Sequence, residues 1–189
     1  MELIEDKLFD RVDFVKSPLG ISEYDSCVFR RCLFPVNFLS SSIFIDCVFE
    51  DCDLSNLKLT QASFNQVQFN GCKMMGLRFD ECNPSLLSFN FKDCNLSHSV
   101  LVGLKLKGMQ MLHSVAEGVD FTDTDLSNAL LNQTNFLNAR FMNNNLEKAD
   151  FRDAFNYSID PTQNKLKNAQ FSLDGVHGLL TVFGIVVNN

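Results

Sequence analysis

A chain of 189 residues with 46% apolar side chains is one domain's worth of sequence, with enough hydrophobic content to bury a core. The formal charge of −7 argues against nucleic acid as a direct ligand, since binding a duplex normally calls for clustered Lys and Arg. With 19 Phe, 2 Tyr and no Trp, the composition suits a slim apolar interior without polar handles.

The start, Met1 to Asp6, has no basic region leading into an apolar stretch, so no signal peptide is expected. From Phe9 a large apolar residue recurs at every fifth position: Phe14, Leu19, Tyr24, Phe29, then Phe34, Leu39, Phe44, Phe49, Leu54, Leu59, Phe64, Phe69, Met74 and Phe79. An α-helix turns about 100° per residue, so a period of five walks around its axis and never builds one face. A long strand alternates with period two and fails as well. The pattern stays on one side only if the backbone turns a corner in every unit, and such a chain stacks on itself as a solenoid.

The residue two before the large one is usually small, as in Cys27, Cys32, Cys47, Cys52, Ala62 and Cys72. All 7 Cys fall in this column. No charged residue between Phe9 and Phe171 falls in either column. Buried unpaired charge costs several kcal/mol, so both columns are expected to point inward. Twenty residues per coil predicts internal stacks of Phe9, Phe29, Phe49, Phe69 and Phe89, and of Cys32, Cys52 and Cys72. Outside, it sets Arg30 and Arg31 under Glu50 and Asp51, Asp53 under Lys73, Asp120 with Arg140 and Asp160, and Glu147 against Lys167.

The register slips near residues 80–90. Pro84 takes a central slot, Phe89 the next, and from Phe91 the pattern resumes two residues out of step. Glu81, Asn83, Pro84 and Ser85 are read as a small loop or bulge, either a tolerated irregularity or a protrusion with a function. The second run goes from Phe91 through Leu96, Met111, Phe121, Phe136 and Phe151, is interrupted at Asn156 and Pro161, and closes at Phe171.

Residues 1–173 are thus expected to form the solenoid, and 174–189 a capping and dimerisation segment. In that segment a short apolar helix begins near Asp174 and stops at Gly184, and a strand follows over Ile185, Val186 and Val187. Its apolar run, Leu179 to Val187, falls far short of the roughly 20 residues that span a bilayer. It is apolar on more faces than a cap requires, so Leu179, Leu180, Val182, Phe183, Ile185, Val186 and Val187 are expected to pair with a second copy.

No catalytic constellation emerges. His98 and His113 take outward slots, and His177 lies near the cap without metal-type spacing. Cysteines five apart sit on different faces, unlike zinc ligands, so packed reduced thiols in a cytoplasmic protein are expected, with no enzyme activity, cofactor or metal. Two outward groups stand out. Glu117, Asp120, Asp123 and Asp125 form a run of acids with no base between Lys107 and Arg140; it is a solvated face or an imitation of duplex phosphates. Leu112, Val115, Leu130, Leu137, Phe155 and Tyr157 form an outward apolar group, covered by a partner or by the chain's own Asn156–Asn164 segment.

Units such as Cys52-Asp53-Leu54-Ser55-Asn56, Cys94-Asn95-Leu96-Ser97-His98 and Thr124-Asp125-Leu126-Ser127-Asn128 resemble the pentapeptide repeat family. That resemblance implies an all-β fold, a right-handed quadrilateral β-helix of about eight coils, or a rod of about 40 Å at ~4.8 Å per coil. Within the family, Asp93–Ser97, Gly118–Phe121, Asn156–Pro161, Lys167–Leu173 and the ending Gly178-Leu179-Leu180 to Gly184-Ile185-Val186-Val187 are similar to the quinolone-resistance (Qnr-like) members and the microcin B immunity protein. The resemblance implies a tail-to-tail homodimer that binds type II topoisomerases, DNA gyrase or topoisomerase IV, as a duplex mimic. The chain lacks the long second-half insertion of Qnr proteins, since Leu126 to Phe151 keeps strict register. A structural or adaptor module with another protein partner is the alternative.

Overall fold

The computed structural model describes residues 1–185. The chain winds as a four-sided β-solenoid of about eight coils, and the physical reason is visible at its corners. Two residues after most inward apolar ones, the backbone takes a left-handed conformation: Ser26, Asp51, Asn56, Gln61, Asn128 and Asn138 all have φ between 52° and 59°. Such a conformation costs most L-residues roughly 1–2 kcal/mol, and least where Gly, Asn or Asp stands. In many units the corner is locked by a bond back to the inward residue, as from Met109 N–H to Leu106 O at 3.0 Å and from Ala139 N–H to Phe136 O at 3.0 Å. The Asp or Asn just before the inward residue caps the same corner. Asp53 Oδ1 accepts from Ser55 N–H (3.0 Å), Asn95 from Ser97 (3.0 Å), Asp120 from Thr122 (2.9 Å) and Asp125 from Ser127 (2.9 Å).

β-branched residues flank the inward one in three of the strands, at Val28, at Ile43 and Ile45, and at Val48. The ladder on one face contains β1 (Glu2–Glu5), β3 (Ser22–Asp25) and β5 (Ile43–Ile45). That on the next contains β2 (Leu8–Asp10), β4 (Val28–Arg30) and β6 (Val48–Glu50). Both run into the longer β7 (Ser63–Asn70), followed by β8 (Leu87–Lys92) and β9 (Met111–Leu112), all parallel. Beyond β9 the coils are joined by single bridges at intervals of twenty, such as Leu130 with Asp150 and Asn135 with Phe155, until β10 (Asp150–Phe151) pairs with β11 (Gln170–Phe171). The face bearing Phe9, Phe29 and Phe49 is called face one; Phe14, Leu19 and Tyr24 mark faces two, three and four.

The interior is a set of stacked rings. Phe9, Phe29, Phe49 and Phe69 are register partners, with centroids 4.8–5.2 Å apart and planes within 11–19° of parallel. The expected continuation to Phe89 is wrong. Phe69 pairs and stacks with Phe91 at 5.5 Å, whereas Phe89 pairs with Val67 and takes the small-residue slot of face one. The extra residues are absorbed before that point: Pro84–Leu86 forms a 3-10 turn, and Asn83 Oδ1 accepts from Ser85 N–H at 3.1 Å. The pairing therefore shifts between Phe64 and Val67, and the Phe89 ring fills the gap against Phe79 at 5.0 Å.

The small-residue column selects for more than size. Its side chains donate to carbonyls of the coil below: Cys47 Sγ to Tyr24 O (3.3 Å), Cys52 to Phe29 O (3.4 Å), Thr124 Oγ1 to Leu101 O (2.7 Å) and Thr134 Oγ1 to Met111 O (2.8 Å). Asn144 and Asn164 do the same for Phe121 O and Phe141 O. Desolvation pushes the Cys47 thiol up to about 12 and raises Cys27 and Cys82 as well, which keeps them protonated and able to donate.

Outside, the expected pairs divide. Arg30 bonds Glu50 at 2.6 Å, but Arg31 reaches down to Asp10 at 2.9 Å, not to Asp51. Asp53 with Lys73, and Asp120 with Arg140, are register partners, yet no ion pair forms at either among the described residues. Asp160 instead accepts from the Thr162 hydroxyl at 2.7 Å and from Thr162 N–H at 2.8 Å, which lower its pKa below the ordinary carboxylate value.

At the C-terminal end the chain departs from five-residue spacing. Asn156 takes a left-handed corner (φ 58°) and its side chain donates to Asn135 Oδ1 at 2.9 Å. Tyr157, expected to point outward, turns in instead. It is 4% exposed and its ring lies 5.7 Å from both Phe151 and Phe171. The expected helix begins at Leu173 and winds as 3-10 turns over Leu173–Leu179 and Thr181–Phe183, stopping at Gly184 with φ 62° as anticipated. The turns pack closely on Tyr157 at two glycines. A Cβ on Gly178 would meet the Tyr157 carbonyl and ring (Cδ2 at 2.7 Å), and one on Gly175 would strike the Tyr157 hydroxyl.

Candidate interaction surfaces

The four acids of the Glu117–Asp125 run spread over three faces. Asp120 and Asp125 are partly buried corner caps, Glu117 is half-buried, and Asp123 is exposed at a left-handed corner (φ 59°). Coil stacking sets cations beside two of them: Arg140 is the bridge partner of Asp120, and Lys105 that of Asp125. The absence of a base in the linear run is therefore not an absence of a base in space.

Face four carries a second acidic group that five-residue reading did not single out. Glu5, Asp6, Glu23, Asp25 and Asp46 project from its first three coils, with Glu5 and Asp25 as register partners. Like charges in that relation repel. Further along the same face stand Lys105, Lys107, Lys148, Lys165 and Lys167, all exposed, with Asp125 and Glu147 among them. A count by coil rather than by sequence interval would have found this separation.

Glu81, Asn83, Pro84 and Ser85 cluster at the slip. Glu81 Oε2 accepts from Thr60 Oγ1 at 3.0 Å, Asn83 caps the turn, and Pro84 and Ser85 are exposed. The slip borders a cavity of about 170 Å³ between Leu87–Asn90 and Lys105–Met109.

Of the apolar terminal residues, Val182, Phe183 (54% exposed) and Ile185 are exposed and Leu180 is half-buried. Leu179 packs against the core cluster and acts as a plug. Val186 and Val187 lie outside the described residues, as does most of the expected strand. Leu173, 86% exposed, and Val176 belong to this surface too; they precede the apolar run and so gave no sequence signal. Leu130, Leu137 and Phe155 are exposed on faces one and two as expected, with Leu112 and Val115 half-buried.

A cavity of about 200 Å³ lies between the last full coil and the 3-10 turns, lined among others by Asp153, Phe155, Tyr157, Asp174 and His177. Among the described residues no three His, Cys, Asp or Glu side chains are grouped to hold a metal ion, and no helix is long and apolar enough to cross a membrane.

The chain matches the family described as pentapeptide repeats in 8 copies, over residues 39–83, 90–128 and 120–155, more than half its length. No curated protein matches it in sequence. Among solved structures, a trypsin-treated variant of QnrB1, described as a plasmid-mediated fluoroquinolone resistance protein, superposes with a TM-score of 0.70 at 20% identity, covering 100% of this chain and 92% of that one. A second trypsin-treated QnrB1 variant gives 0.66 at 17% identity, with 99% and 97% covered. At such identities the likeness is one of fold.

Proposed function

This chain belongs to the pentapeptide repeat family, and from that premise we propose that it is a non-enzymatic binding protein that lays a rigid acidic solenoid into the basic groove of a type II topoisomerase, gyrase or topoisomerase IV. The observation that carries the reading is the column of carboxylates on face four, Glu5, Asp6, Glu23, Asp25 and Asp46, borne at coil spacing with no ion pair among the described residues. Asp123 stands at the corner between faces three and four and Glu117 on face two, both several coils further along the rod. The full-length likeness in fold to a fluoroquinolone resistance protein supports the choice of partner, and quinolone or toxin protection is the expected consequence.

The C-terminal surface of Leu173, Val176, Leu180, Val182, Phe183 and Ile185 is proposed as a homodimer interface, since exposed apolar groups gather there at the open end of the stack. The test of the main reading is capture of purified gyrase and topoisomerase IV, with supercoiling assayed with and without a fluoroquinolone. Capture that weakens steeply when Glu23 and Asp25 become Lys supports groove mimicry; no capture at micromolar concentration rejects it. Leu130, Leu137 and Phe155 favour a second reading, an adaptor docking through apolar contact. On that reading capture of the partner survives the charge reversal and is lost in Leu130→Asp with Phe155→Asp.

A further inference from the structure

The two ends of face four carry the same pattern in opposite sign. Each rung of this face has an outward residue before the inward one, another after it, and then a left-handed corner. Glu23 and Asp25 hold the two outward positions of β3, and Asp46 holds the corner one rung further in (φ 48°). Toward the other end Lys165 and Lys167 hold the two outward positions of one rung. Lys148 holds the corner one rung further in (φ 60°), its N–H donating to Lys167 O at 3.0 Å. None of these six groups has an ion pair among the described residues, and the three lysines are exposed.

A two-fold axis lying across the face sets a second rod antiparallel to the first and keeps each lateral position facing its own kind. With β3 opposite the rung of residues 165–167, Glu23 meets Lys165, Asp25 meets Lys167 and Asp46 meets Lys148. Symmetry makes each contact twice. The other charges in the overlap then face no like charge. Glu147 faces Ile45, Asp125 faces Ser63, and Lys105 and Lys107 face residues 85–89, which carry no charge. Sliding the copies one rung in one direction sets Asp25 against Glu147. One rung in the other direction leaves Glu23 and Asp25 beyond the last lysines. A single register satisfies the charges.

We propose that face four docks a second copy of this chain in this antiparallel register, each copy's Glu23, Asp25 and Asp46 against the other's Lys165, Lys167 and Lys148. The contact is separate from the apolar one at the C-terminal end and does not depend on the topoisomerase reading. A copy lying there covers three of the acids which that reading uses, so self-association and groove binding exclude each other. Exposed pairs are individually weak; repeated across a symmetric contact they select the partner and its alignment, and they respond to salt.

The experiment is zero-length carbodiimide cross-linking of the full chain, which joins a carboxylate to a lysine amine only where they touch, with the links located by mass spectrometry. Within one chain Glu23 and Lys165 stand roughly 34 Å apart at ~4.8 Å per rung, so a link between them reports two copies. Glu23–Lys165, Asp25–Lys167 and Asp46–Lys148 links are expected at about 0.01 M salt, where the Debye length is about 30 Å. They should disappear at about 1 M, where it is about 3 Å. Glu23→Lys with Asp25→Lys, and separately Lys165→Glu with Lys167→Glu, should each lower the Asp46–Lys148 link about tenfold or more, because like charges then face each other. Mixing the two variants restores opposite charges at every contact and should bring that link back, a recovery that unfolded variants could not give. Links confined to other pairs, links indifferent to salt, or a mixture no more linked than its components would overturn the proposal. No topoisomerase enters the assay, so a negative result leaves the groove reading standing, and failed capture of the enzyme leaves this contact standing.

Discussion

Thr134 shows at residue scale how the solenoid sorts its side chains. It is fully buried, and its hydroxyl satisfies Met111 O of the coil below. Thr134→Val keeps the shape and orphans that carbonyl, so it should cost about 1–3 kcal/mol in urea unfolding, while Thr134→Ser should cost less. Gly178 and Gly175 face Tyr157 in different ways. Gly178→Ala meets backbone and ring and should destabilise by about 1–3 kcal/mol, whether or not Tyr157 is changed. Gly175→Ala strikes the hydroxyl first, so Tyr157→Phe should relieve part of its cost, and a double-mutant cycle measures that coupling. The sequence conveyed the smallness of the inner column. It hid the donor role, because Cys, Ser, Thr, Asn and Ala look alike when only volume is scored.

The insertion and the C-terminal turns are where linear reading lost its footing at the scale of elements. Counting in fives placed Phe89 in the aromatic stack because Pro84 and Ser85 were counted as occupying regular slots. The 3-10 turn takes up the excess, and Phe91 inherits the column. Deleting Pro84 and Ser85 would join Cys82-Asn83 to Leu86-Leu87-Ser88 and restore an unbroken run of fives. That variant should fold with a melting temperature no lower than the parent's. If it also loses partner capture, the insertion is a contact element. Tyr157 was misplaced for a related reason: the register puts Asn156 inward, but burying an amide without partners is worse than burying a phenol ring among Phe151 and Phe171. The corners elsewhere were legible, since Asn, Asp and Gly recur where the backbone turns left-handed.

For the molecule as a whole, each coil touches only its neighbours, so stability accumulates along the stack and the ends matter most. The terminal apolar surface sets the expected assembly. Leu173→Asp with Phe183→Asp should give monomers by light scattering, and an unchanged mass would place the dimer elsewhere. Association driven by face four should weaken as salt rises, because exposed charges are screened over about 8 Å at physiological ionic strength. Docking through Leu130 and Phe155 should be nearly indifferent to salt. The charge separation on face four was spread through the sequence at intervals of about twenty, which is why no linear window revealed it.

Carboxylates stand at one end of face four and lysines at the other, so a charged groove meeting this side encounters a potential that changes sign along the axis. Turned end for end, the rod would set its lysines where the groove expects acid. Insertion therefore has one favoured polarity and one favoured depth. A variant with the two groups exchanged should seat itself backwards, a reversal that a spin label near either end would report as a swapped distance.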